Sequence, residues 1–208
     1  MAQMISLDKQ VKLLSMYAGR DKVIRTAYFT LVLWSTKMDP EKAKIILGLA
    51  KQLSQTRLVL RQLNHPSMFQ ASRDLIQDAK TCADPVDHSL NSVITGAYTI
   101  YGFCEVIAWL ADAGVITANA AKWFNYCLYL WIVALFAGIV KSLRSIVLKT
   151  LRRKDSSIDR LTLIGLSSDF ISAINSLPFK FLWSGRLSKR TTATFSLIAS
   201  AIGVYRLL

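Results

Sequence analysis

His65 and His88, Cys82, Cys104 and Cys127, and the close pair Asp84 and Asp87 are the side chains from which acid–base, nucleophilic or metal chemistry would be assembled here. Neither histidine lies near a plausible constellation of nucleophile and carboxylate, and no P-loop, dinucleotide fingerprint or H-E-x-x-H motif occurs. Gly96, Gly102 and Gly114 are too spread, and too apolar in context, to cradle a phosphate. The cysteines are odd in number and widely spaced, with no C-x-x-C, so neither a disulfide framework nor a metal site is indicated. They read as small packing residues. Asp84 and Asp87 lie beside Pro85, where helix capping in a linker is the stronger reading. No catalytic residue, metal ligand or cofactor is expected.

Two other carboxylates sit in unusual company. Glu105 and Asp112 are seven residues apart, hence on similar faces of a helix, inside the mostly apolar run Val93 to Ile116. Charge in lipid is costly, so this segment should bury that face in protein, lie shallowly, or line a polar cavity. With Asp169, they would be the lining of a channel for small metabolites, one alternative function.

The elements that must position these residues are dominated by one stretch. Trp123 to Val140 holds eighteen residues without a charge, fenced by Lys122 and Lys141. At about 1.5 Å per residue this only just crosses a hydrocarbon core of roughly 30 Å. Trp123, Tyr126, Tyr129 and Trp131 near one end, and Arg144, Lys149, Arg152, Arg153 and Lys154 beyond the other, suit an interface-anchored span better than a soluble core helix.

Composition agrees. The 208 residues are 52% hydrophobic with a formal net charge of +13, which excludes disorder. Residues 1 to 89 carry thirteen basic and eight acidic side chains, and residues 90 to 208 thirteen basic and five acidic. Seven of the cations fall between Lys141 and Arg160, beside the best hydrophobic span, where each would attract anionic headgroups at about 1 kcal/mol. No zinc-finger spacing or RNP-like motif accompanies them, so nucleic acid is not the expected partner. Nothing at the N-terminus resembles a signal peptide, and the N-terminus is expected to stay cytosolic.

Helical spacing recurs throughout, and the expected fold is all-α. Leu7, Val11, Leu14 and Ala18 form a first stripe ended by Gly19, continued by Val23, Ala27, Leu31 and Trp34 as a broken pair. Asp39 as cap, Pro40 in the first turn and Glu41 at the positive end predict a helix running to Leu63. On it Ile46, Leu49, Leu53, Leu60 and Leu63 share a face, with Lys44 and Lys51 opposite and Arg57 and Arg61 flanking. That pattern fits either a bundle helix or one lying in the headgroup plane. A shorter amphipathic stretch through Met68, Phe69, Leu75 and Ile76 leads to a linker, residues 81–89. Asp112, Ala113 and Gly114 read as the turn of a hydrophobic hairpin, with Thr117 capping its second helix. Asp155 to Ser157 break the chain again before an amphipathic helix from Ile158, ended at Pro178. Finally, Thr191 to Tyr205 is uncharged and rich in small residues, and Ser196, Ala199, Ser200 and Gly203 are its candidate oligomer-packing surface.

Four strings, in order, resemble the peroxin-11 family of peroxisomal membrane proteins, most closely its gamma branch. They are YAGRDKVIR with Gly19, Arg20, Asp21, Lys22 and Arg25; Gln52, Leu53, Ser54, Arg57, Leu60 and Arg61 followed by Met68 and Phe69; Glu105 to Asp112 with Trp123; and Leu182, Trp183, Gly185, Arg186 and Leu187 before the small-residue tail. The resemblance implies a protein that elongates and proliferates the organelle, self-associates, has cytosolic termini and cooperates with fission adaptors and a dynamin-like GTPase. It departs from some relatives in its short basic stretch Arg152 to Ser157 and in lacking a dilysine ending, so coat-protein recruitment is not carried over.

The expectation is thus an integral membrane helical protein: an amphipathic region (1–80), a hydrophobic hairpin (90–153), an amphipathic helix and loop (154–190) and a C-terminal hydrophobic segment (191–208). With the resemblance added, Ile46, Leu49, Leu53, Leu60 and Leu63 are read as membrane-inserting and Lys44, Lys51, Arg57 and Arg61 as binding anionic headgroups. The basic cluster from Lys141 to Lys154 is a candidate site for the peroxisomal membrane-protein import receptor. The remaining alternative is a soluble helical adaptor.

Overall fold

A computed structural model describes residues 6–208. Among these residues there are eight helices and no strand: α1 (Leu7–Ser15), α2 (Tyr17–Ser35), α3 (Pro40–Gln62), α4 (His65–Asp78), α5 (Pro85–Asp112), α6 (Ala120–Leu151), α7 (Ser157–Asn175) and α8 (Lys189–Tyr205). The fold is all-α.

Local chemistry explains most boundaries. The first break falls at Met16, whose backbone is extended, and not at Gly19. Gly19 lies inside α2, where a Cβ would sit 1.8 Å from the Leu13 carbonyl oxygen, so it is what lets α1 fold back closely. Asp39 stands at the N-cap of α3 without a side-chain capping bond, and Pro40 opens the helix. Asp84 caps α5 by accepting from the Val86 and Asp87 amides, so α5 begins inside the stretch read as linker. Asn119, not Thr117, caps α6, accepting from the Lys122 amide at 3.0 Å; Thr117 is two residues too early. Between them the chain reverses at Gly114, with φ +74°, and the Val115 amide reaches back to the Leu110 carbonyl.

The packing closes on itself. α2 lies between α3 and α8, α7 between α8 and α6, and α5 packs on α6, while α3 touches α5 and completes the circuit. Six helices therefore form a ring, with α1 lying on α2 and α4 on α5 outside it. The expected hairpin is antiparallel, tied by Arg144 to Asp84 and by Lys141 to Asn91. It is not a separate unit, because α5 and α6 are two sides of the ring.

α5 and α6 are the two helices long and apolar enough to cross a membrane, at 28 and 32 residues. Only about a third of each apolar window is buried. On α6, Val133, Phe136, Val140, Leu143 and Val147 form one exposed row, spaced three and four residues apart as a single helix face requires. α8 has 17 residues, or about 26 Å, and packs against α2 and α7.

Candidate functional site: a charged chamber within the helical ring

Facing helices inside the ring are joined by ion pairs. Arg25 of α2 donates from Nη1 to Asp169 of α7 at 2.8 Å, with a second bond from Nη2, and both side chains are buried. The Arg25 guanidinium also lies over Phe29 and over Trp131 of α6, 5.4 and 5.7 Å from the ring centres. Arg57 of α3 donates from Nε to Asp21 of α2 at 2.8 Å. One turn further on, Arg61 grips Glu105 of α5 through Nε and Nη2 at 3.0 and 2.6 Å, and the Tyr101 hydroxyl donates to the same carboxylate at 2.8 Å. Each pair links two elements that only tertiary folding brings together.

Around these pairs lies a cavity of about 530 Å³, lined from α2 by Tyr17, Asp21, Lys22, Arg25 and Phe29, from α3 by Arg57 and Arg61, and from α5, α6 and α7 by Tyr98, Glu105, Trp131, Leu135, Leu166 and Asp169. Four cations and three carboxylates face it. Burial on its own would raise the Asp21 pKa, but Arg57 outweighs burial and holds the carboxyl below its usual range. Burial pushes the Tyr17 phenol up to about 12, assisted by Asp21. Lys22 is pushed below the usual lysine range, first by burial and then by Arg25.

This geometry revises several expected roles. Arg57 and Arg61 turn inward to carboxylates and are not offered to headgroups, whereas Lys44 and Lys51 remain exposed. Ile46, Leu53 and Leu60 are half-buried in a helix that packs on α2, while Leu49 and Leu63 are exposed. The outward row is Ile45, Leu49, Val59 and Leu63, displaced by a fraction of a turn from the predicted one. Ser196, Ala199 and Ser200 are buried where α8 meets α2 and α7, and at Gly203 a Cβ would lie 2.9 Å from Lys22 Cδ. The small-residue face is therefore occupied by the chain's own helices. Glu105 is buried and Asp112 is exposed at the hairpin turn, so the two do not form a joint lining, and Asp169 is held by Arg25. Of the histidines, His65 reaches the chamber wall, and His88 lies apart on the first turn of α5.

The LWSGR string is a connector. Trp183 Nε1 donates to the Ile171 carbonyl at 2.9 Å, and Asn175 receives the Leu187 amide at 2.9 Å while donating to the Leu187 carbonyl and the Thr192 hydroxyl. These bonds fix the turn from α7 to α8. The basic corner Arg152, Arg153 and Lys154 is exposed, whereas Arg144 and Lys149 are engaged by Asp84 and Asp159.

Charged residues gathered inside a helical ring, with two long helices turning apolar side chains outward, define an all-α membrane protein. The chain belongs to the Peroxisomal biogenesis factor 11 family, whose model matches residues 7–208, and which is a family of peroxisomal membrane proteins with biogenesis roles. It is 24% identical over 229 residues to Peroxisomal membrane protein 11C of Homo sapiens, covering 98% of this chain and 95% of that one. It is 26% identical over 227 residues to Peroxisomal membrane protein 11C of Mus musculus, covering 96% and 93%. Both relatives belong to the gamma branch. No solved structure matches the chain.

Proposed function

We propose that the chain acts in the peroxisomal membrane to elongate and divide the organelle, with the outer face of α3 wedged into the cytosolic leaflet and α5 and α6 crossing the bilayer. One observation carries this reading. On α3, Ile45, Leu49 and Leu63 are 74%, 52% and 77% exposed, with Lys44 and Lys51 exposed beside them. Burying each such side chain is worth roughly 1.5–3 kcal/mol, and each lysine near anionic headgroups about 1 kcal/mol, so the face has both contributions to interfacial affinity. Insertion into one monolayer enlarges its headgroup area relative to the other, and the bilayer relaxes by curving. In α1 the exposed Leu7, Val11 and Leu14 add a parallel apolar row.

Elongation of this kind ends with fission adaptors and a dynamin-like GTPase. Self-association, which concentrates the wedges, would use a surface other than the small residues of α8. The corner Arg152 to Lys154 is the part of the basic cluster free to meet the membrane-protein import receptor.

The full chain, reconstituted with anionic liposomes, tests the wedge by electron microscopy. Leu49→Glu with Leu63→Glu should abolish tubules and leave the helical melting temperature unchanged, whereas the half-buried Leu53→Glu should lower it. Normal tubules from the double variant would sink the wedge.

A further inference from the structure

The chamber's charges are not fully matched. Asp21, Glu105 and Asp169 are each taken by an arginine. The Lys22 ammonium makes no hydrogen bond or ion pair among the described residues, although the side chain lines the cavity. Its stem runs against α8 at Gly203, and burial, then Arg25 and more weakly Arg57, destabilise the ammonium more than Asp169 and Asp21 stabilise it. A half-buried ammonium without a bonded counter-ion carries a desolvation cost that an anion would offset. The arginines also hold donors in reserve: Arg57 and Arg61 engage their carboxylates through Nε and Nη2, which leaves Nη1 of each.

We infer that the chamber is a binding site for a phosphate group, held between the Lys22 ammonium on α2 and the spare guanidinium donors of Arg57 and Arg61 on α3. Donors converging from two helices suit a tetrahedral anion with several acceptor oxygens better than a planar carboxylate, which one arginine satisfies by itself. Four cations face three carboxylates, so the chamber carries a net positive charge that an anion would offset. The volume, about 530 Å³, falls within the roughly 300–1,000 Å³ of small-ligand cavities. It leaves room for more than the phosphate, and Phe29, Leu135 and Leu166 line it with apolar surface. The phosphate could come from a lipid headgroup or from a soluble ester; the site chemistry is shared. This assignment does not depend on the wedge.

The test uses the purified full chain in neutral detergent, titrated with inorganic phosphate, glycerol 3-phosphate or short-chain phosphatidic acid, with phosphatidylcholine micelles as the reference. Binding is read as a saturable rise in melting temperature. Stabilisation by glycerol 3-phosphate or inorganic phosphate identifies a soluble ester, and by phosphatidic acid alone a headgroup. In either case Lys22→Met should weaken apparent affinity at least about tenfold, while Lys180→Gln with Lys189→Gln, two exposed lysines that do not line the chamber, leaves it unchanged. Lys22→Met breaks no ion pair, so it should melt no lower than the parent. No saturable stabilisation by any of the three probes, or equal affinity in Lys22→Met, would overturn the assignment.

Discussion

Removing the Asp169 carboxylate would leave Arg25 charged, buried and without its partner, a situation that costs about 3–5 kcal/mol in other buried pairs. Asp169→Asn should therefore lower the melting temperature sharply. Arg25→Met with Asp169→Leu should recover most of the loss, because the desolvation cost vanishes together with the pair. Circular dichroism melts of the parent and the two variants measure this; equal losses in the single and double variants would show that the site contributes through shape alone. Such pairs are also where the sequence is least legible. Asp21 and Arg57 are 36 residues apart, and Arg61 and Glu105 are 44 apart. Helical periodicity reports neighbours within a turn or two, so two arginines beside leucines read as flanks reaching for headgroups. Asp84, whose capping partners lie two and three residues away, reads correctly as a cap, while its bond to Arg144, 60 residues on, does not show in the sequence.

For whole helices, the sequence indicates type well and orientation less well. The start of α3 at Asp39 and Pro40 and the turn at Gly114 follow from local chemistry and stand where the residues place them, whereas α7 takes in Ser157 from the expected break and ends at Asn175, three residues before Pro178. Which side of α3 faces inward does not follow. A helix with leucine or isoleucine at 45, 46, 47, 49, 53, 58, 60 and 63 presents two overlapping apolar strips, and only the partner α2 selects one. α8 shows the same ambiguity: small residues announce close packing without naming what packs. Because Ser200 is fully buried, Ser200→Leu overfills the junction with α2 and α7 and should destabilise by about 1–3 kcal/mol. The loss should be the same at low and high protein concentration. A concentration-dependent loss would return α8 to contacts between copies.

For the molecule as a whole, the ring makes the amphipathic half and the hydrophobic half one folded unit, so the wedge proposed on α3 would be coupled mechanically to the pair α5 and α6. Its orientation is testable through the cysteines. Cys82 is half-exposed in the link before α5, whereas Cys104 and Cys127 are buried in α5 and α6. On intact organelles a membrane-impermeant maleimide should label Cys82 alone. Labelling of Cys82 only after permeabilisation would place the base of the hairpin on the lumenal side and invert the proposed arrangement.

The short connection between α5 and α6 bears on how such a protein reaches its place. Residues 113–119 contain no charge, and Asp112 and Lys122 are the nearest charged side chains on either side. Asp84, Asp87, Lys141, Arg144 and Lys149 all gather at the opposite end. A hairpin built this way, entering a bilayer tip first, would move only Asp112 and Lys122 across and carry Glu105, held by Arg61, into the span, while the heavily ionised end stays behind as a stop. Delivery after synthesis, with the helices already paired, then requires no translocation of either terminus.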